Sequence, residues 1–195
     1  MSTAGNGLYA FVLRGLLTEE ALDQAGRRSP NFSGIEDLEI AQMLSLEVLD
    51  EELVSNARRM SVVYTAIATF ENSVRDLIKR VLLAELGEGW WLSGVSEKVR
   101  NRAELKMKDE EQVRWHKPRG NDPLNYTLLP DLITIMRNEN WPRLEPYIGS
   151  IEWAAAIFDV VERSRNVIMH SGVLDKEDIQ RLGINIRDWV KQVGA

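Results

Sequence analysis

Met60, Val63, Ile67, Phe70, Val74, Leu77 and Val81 return at intervals of three or four residues, and no other feature of this sequence restricts its fold as strongly. At the helical repeat this spacing places all seven apolar side chains on one face, so it predicts one long helix over about residues 56–86. Gly87 and Gly89 end it, as glycine commonly does past a helix C-terminus, and Trp90-Trp91 begins a connection. Ser96 to about Lys117 reads as a highly charged surface helix. Leu129-Pro130-Asp131 opens another helix through a first-turn proline, and Trp141-Pro142 closes it. Ser150 caps a helix of about 151–170 that Gly172 terminates, and Asp175 caps the last helix, to about Val193. No run alternates for long enough to make a sheet and no repeat is present, so the expected fold is an all-α helical bundle.

The N-terminal part has a different character. Residues 1–55 hold ten acids and three bases, whereas residues 56–195 hold twenty acids and twenty-one bases. The net charge of -6 therefore belongs to an acidic helical extension, 1–55, and leaves the 56–195 domain nearly neutral. Within the extension, residues 8–26 suit a short amphipathic helix, Arg27 to Gly34 a Pro- and Gly-containing hinge, and Ile35 to Val54 a solvated helix packed on one side.

Composition closes many functional classes. There is no cysteine, which removes disulfides, thiolate nucleophiles, iron–sulfur clusters and cysteine-based zinc sites. Only His116 and His170 are available as imidazoles, and no Gly-rich phosphate loop, GxSxG elbow, HExxH or EF-hand loop occurs. No cofactor and no metal is expected. No apolar run reaches the length of a membrane span, and the N-terminus lacks a basic stretch ahead of an apolar one, so the expectation is a cytoplasmic protein with no membrane partner.

The segment Arg165-Asn166-Val167-Ile168-Met169-His170 carries the chemistry. Ala154, Phe158, Val161 and Ile168 form the apolar stripe of its helix, and Arg165 falls inside that stripe. A buried guanidinium cannot lose its proton, so Arg165 must meet a carboxylate, another anion or a second subunit. His170 falls in the last turn, where the negative end of the helix dipole favours a cation, as a proton donor requires. An imidazole that moves protons and a guanidinium that holds non-bridging oxygens are the parts that attack of a ribose 2′-hydroxyl on its phosphodiester needs, without a metal. Asp159, Glu162, Arg163, Asn166 and His170 share a second face of this helix, which allows Asn166 to orient His170 four residues on.

Arg165-Asn166-x-x-x-His170 resembles the R-x4-6-H signature of the HEPN superfamily, all-helical domains found in ribonuclease toxins, antiviral systems and RNA-processing enzymes. With Phe70-Glu71-x-x-x-Arg75 on the long helix and Trp90-Trp91 after it, residues 56–185 are most similar to a branch that includes the C-terminal domain of a nuclear mRNA-surveillance protein and many bacterial defence proteins. The resemblance implies a HEPN-type bundle and a metal-independent endoribonuclease, with Arg165, His170 and Asn166 catalytic. It also implies a homodimer in which two copies of the motif meet. Five residues separate Arg165 from His170 by about 140° around a helix, so one copy does not readily converge on one phosphate, whereas two copies across a twofold axis can.

Around that centre, Glu71 and Glu162 are the supporting carboxylates, either of which can pair with Arg165. Glu71 and Arg75, one turn apart, suit an intrahelical salt bridge. Arg100, Arg102, Lys106 and Lys117 are the candidates to track an RNA backbone, although the mixed charge of their helix equally suits a solvated face. His116, between Trp115 and Lys117, resembles a surface base-stacking group, although ordinary surface or helix-end chemistry is the usual account of such a residue, and the six tryptophans read as core and interface residues. Many HEPN domains keep the fold without the chemistry, so the alternative is a non-catalytic module that binds RNA or a protein, such as an antitoxin or a defence-system partner.

Overall fold

A computed structural model describes residues 34–194, and every regular element among them is helical, an all-α fold. The chain divides between Glu51 and Glu52 into two compact units. The expected helix at 8–26 and most of the expected hinge lie outside the described residues.

In the first unit, α1 (Gly34–Met43) is followed by a 3-10 turn at Leu46–Val48. The continuous helix expected from Ile35 to Val54 is thus broken. Ser45 lies in the left-handed region at φ 53, and its N–H bonds to Gln42 O three residues back, which interrupts the helical ladder. Leu38, Met43, Leu44 and Val48 are exposed, so these residues form no one-sided packed stripe within the described part of this unit.

The long apolar run forms α2 (Glu51–Leu86), a helix of 36 residues that starts earlier than its apolar spacing announces. Glu51 and Glu52 supply the negative charge that the positive end of a helix favours. All seven residues of the run are buried, together with Ile78 and Leu82. A 3-10 turn at Gly87–Gly89, with Gly87 at φ 70, leads to the one-turn α3 (Trp90–Gly94).

The charged helix α4 spans Glu97–Glu111 and buries only Val99 and Ala103. It stops six residues short of Lys117, because neither Val113 nor Trp115, the apolar side chains between Glu111 and Lys117, reaches the core, and Pro118 disfavours helical geometry at the residue before it. The connection that follows is nevertheless well tied. Asp122 caps a 3-10 turn at Pro123–Tyr126 by accepting from Leu124 N at 3.0 Å, and its other oxygen binds Lys79 Nζ of α2 at 2.6 Å. That hydrogen bond, with the attraction between the two charges, raises the Lys79 pKa above the ordinary lysine value.

Then come α5 (Leu129–Met136), α6 (Trp141–Ile148), α7 (Ile151–Met169) and α8 (Lys176–Val193). Trp141-Pro142 opens α6 rather than closing α5, because proline's missing N–H does no harm in a first helical turn, as Pro130 shows in α5. Ser150 Oγ caps α7 by accepting from Trp153 N at 3.2 Å, and Asp175 Oδ1 caps α8 by accepting from Asp178 N at 2.8 Å. Helix α7 is the hub and packs against α5, α6 and α8. Its Phe158 meets Phe70 of α2 edge to face at 5.5 Å, and Phe70 meets Trp189 of α8 at 5.6 Å. Such pairs contribute ~0.5–1.5 kcal/mol each beyond the area they bury, and here they fix the rotation of α2, α7 and α8 about their axes.

Candidate active site

Helix α7 buries Ala154, Ile157, Phe158, Val161 and Ser164, and that buried stripe fixes where its polar residues point. Arg165 sits at the edge of the stripe, with its side chain 33% exposed. It finds the carboxylate that its position demands: Arg165 Nε lies 3.2 Å from Glu71 Oε1 of α2. The second Glu71 oxygen accepts from Arg75 Nη2 at 3.0 Å, one helical turn along. A single carboxylate, 12% exposed, is therefore shared by two guanidiniums. Arg75 is held further by Asn72 Oδ1 at 3.1 Å and Thr127 O at 3.2 Å, while its buried Nε has no acceptor among the described residues.

This arrangement opens onto a polar cavity of about 400 Å³. Glu71, Arg75, Glu162, Arg165 and Asn166 come from the two long helices, Tyr64 from further up α2, and Arg119, Asn125 and Thr127 from the α4–α5 connection. Three arginines and two glutamates line the wall, and Glu110, outside it, pairs with Arg119. With one carboxylate shared between Arg75 and Arg165, the cavity is suited to an anion.

His170 is elsewhere. It is the C-cap of α7, exposed, outside the cavity wall, and its ring makes no hydrogen bond among the described residues. Asn166 does not orient it through a side-chain contact; the two are joined by the backbone, His170 N–H donating to Asn166 O at 3.2 Å, and the Asn166 side chain faces the cavity instead.

A tight turn fixes the backbone at His170. Ser171 N–H donates to Ile168 O at 3.0 Å and Gly172 N–H to Val167 O at 2.8 Å, the paired bonds of a Schellman ending. The left-handed residue of this turn is Ser171, at φ 62, and not Gly172. Gly172 is needed for another reason: a Cβ there would stand 2.8 Å from Val167 O and 2.6 Å from Val167 Cγ1.

The residues expected to track RNA are mostly engaged within the fold. Arg100 donates to Leu92 O at 2.8 Å and to Val95 O, and Arg102 pairs with the buried Asp131, whose other oxygen accepts from Leu128 N at 3.0 Å. Lys106 Nζ donates to Tyr126 O at 3.2 Å. Lys117 is exposed in the α4–α5 connection, away from the helix on which the sequence places it. Arg119, Asn125 and Tyr64 were not legible as cavity residues, because an irregular connection carries the first two and no periodicity places it beside α7.

Arg119 is the anchor of that connection. Its Nε pairs with Glu110 Oε1 at 2.6 Å, its backbone N–H donates to Glu110 Oε2 at 3.1 Å, and its guanidinium lies 5.3 Å above the ring of Tyr126. The backbone hydrogen bond, more than the guanidinium's charge, holds the Glu110 carboxyl below its usual range. Tyr126 is buried, which pushes its phenol up, and its hydroxyl donates to Gly120 O at 3.1 Å.

Among the described residues, no group of three or more His, Asp or Glu gathers as a metal site requires, and no helix is long and apolar enough to cross a membrane. Comparison with family models, with curated proteins and with solved structures gives no match.

Proposed function

We propose that this protein is a metal-independent endoribonuclease of the HEPN type, acting on single-stranded or looped RNA and leaving a 2′,3′-cyclic phosphate. The observation that carries the reading is the division of the motif. Arg165, held by Glu71, faces a cation-lined cavity together with Asn166, while His170 lies five residues on, exposed and outside it. One chain thus offers an anion clamp without its proton-transfer group, and a second copy of the chain supplies the imidazole. In that assembly Arg165 stabilises the charge that grows on the non-bridging oxygens. His170 takes the 2′-hydroxyl proton or delivers one to the departing 5′-oxygen. Glu71 positions Arg165, Asn166 contributes a neutral donor, and Glu162 completes the wall.

Subunit mixing tests both the chemistry and the sharing. Arg165→Ala and His170→Ala homodimers should each be inactive, whereas unfolding and reassociating an equal mixture should return about a quarter of wild-type activity, from heterodimers with one intact site. A folded His170→Ala protein that cleaves RNA at the wild-type rate, or complete inhibition by EDTA, would overturn the reading.

The exposed, unoriented His170 ring also suits the second reading, a non-catalytic module that binds RNA or a protein partner such as an antitoxin. That module retains RNA without cleaving it, or ignores RNA altogether, and His170→Ala leaves its binding unchanged.

A further inference from the structure

Trp115 is 87% exposed, whereas Trp90 and Trp189 are buried and Trp91, Trp141 and Trp153 are partly so. Trp115 therefore takes no part in the core, and its exposure needs a reason, because an indole left in water forgoes the burial that ordinarily justifies so large a ring. Loose attachment is not that reason. The segment is fastened at several points: His116 N–H donates to Val113 O at 3.2 Å, Arg119 pairs with Glu110 and covers Tyr126, Asn125 Nδ2 donates to Arg119 O at 3.3 Å, and Tyr126 holds Gly120. His116 lies edge-on to the Trp115 ring at 5.7 Å, with an interplanar angle of 89°. A braced loop therefore presents a bare aromatic face.

Cations cluster beside that face. Residues 112–119 carry Arg114, Lys117 and Arg119 and no acid; of the two glutamates just before them, Glu110 is paired with Arg119. Trp115, Lys117 and Arg119, with the paired Glu110, line a hollow of about 360 Å³, and Arg119 also lines the cavity at Arg165. The two hollows therefore have a wall residue in common, a guanidinium whose Nε is held by Glu110.

We propose that Trp115 is a base-stacking subsite for single-stranded RNA, with Arg114 and Lys117 flanking the backbone and Arg119 passing the strand toward the Arg165 cavity. Stacking on an exposed ring flanked by cations is how single strands are held without reading their sequence, since every base has a flat face. This subsite rests on the ribonuclease reading for its direction, but not for the contact itself. It also moves the RNA track from the outer surface of α4 to the connection after it.

The test uses the full-length protein and a fluorescein-labelled 2′-O-methyl oligouridylate, which has no free 2′-hydroxyl and so reports binding apart from cleavage. Trp115→Ala should raise the Kd roughly 5- to 100-fold, from the usual contribution of one stacked base, while Trp115→Phe stays within about threefold of wild type. Wild-type tryptophan emission should be quenched as the oligonucleotide binds, and Trp115→Phe should lose most of that quenching. Trp115 is a surface residue, so both variants should melt with the wild type.

Equal Kd values for wild type and Trp115→Ala overturn the subsite, and so does the absence of oligonucleotide binding, the outcome expected if Trp115 instead docks a protein. The two readings fail separately. RNA cleavage with an unchanged KM in Trp115→Ala removes the subsite and leaves the nuclease. Weakened binding in Trp115→Ala of a wild type that cleaves no RNA removes the nuclease and leaves the subsite.

Discussion

Replacing Glu71 by glutamine removes one negative charge and almost no volume, from a point where two guanidiniums converge. In the wild type, Oε1 meets Arg165 Nε at 3.2 Å and Oε2 meets Arg75 Nη2 at 3.0 Å, with Glu71 12%, Arg75 14% and Arg165 33% exposed. An exposed ion pair contributes ~0.2–1 kcal/mol, whereas removing one partner of a fully buried pair costs about 3–5 kcal/mol. Two partners, both mostly covered but one open to solvent, place Glu71→Gln between these limits, at roughly 2–3 kcal/mol. For a chain of this size that lowers the midpoint of thermal unfolding by roughly 5–10 °C.

The change should fall unequally on the two arginines. Arg75 retains Asn72 and Thr127 as acceptors, whereas Glu71 is the sole ion-pair partner of Arg165 among the described residues. A double-mutant cycle over Glu71→Gln and Arg165→Ala, followed by circular dichroism melts, isolates the pair and should return a coupling of about 1–2 kcal/mol. A coupling below about 0.3 kcal/mol would refute the reasoning, because Arg165 would then not depend on Glu71 for its place. Under the proposed chemistry the same variant lowers kcat more than it raises KM, since the clamp acts as charge develops.

Arg102→Ala should destabilise the protein by about 1–3 kcal/mol in a urea melt, by leaving the buried Asp131 without its guanidinium, and should barely change RNA affinity; the converse result would return Arg102 to the RNA surface. At the end of α7 the turn separates two neighbouring residues. Ser171→Gly should stabilise by about 0.5–1 kcal/mol by relieving the left-handed serine, while Gly172→Ala should destabilise by at least about 1 kcal/mol through its clash with Val167, and equal melting temperatures for the two variants would contradict that assignment. The depressed Glu110 pKa fixes a sign for pH. A carboxyl lowered in the folded state stabilises above its unfolded value, near 4.5, and loses that contribution as pH falls through the folded one. The protection of amides in residues 112–120, taken relative to the intrinsic exchange rate at each pH, should therefore fall below about pH 4.5, and Glu110→Gln should remove that dependence.

The helices of the main body were legible because their signals are local. The run from Met60 to Val81 repeats with the helix, and Ser150 and Asp175 cap the bonds that such residues cap wherever a helix begins. Arg165 was legible for a related reason: a charge at the edge of an apolar stripe demands a partner, and Glu71 provides it. Where a local signal had two uses, the surroundings chose between them. Trp141-Pro142 serves a helix end or a helix start equally well, and Ser171, one residue past the C-cap His170, takes the left-handed position, while Gly172 is the residue whose Cβ Val167 leaves no room for. The divergence of Arg165 and His170 followed from their five-residue offset, but tertiary structure alone decided that Asn166 lines the cavity, that Arg100, Arg102 and Lys106 are engaged within the fold, and that Arg119 and Asn125 reach the site. Those placements depend on an irregular connection fastened by Lys79, Glu110 and Tyr126, contacts between residues distant in the sequence for which no repeat exists to be read.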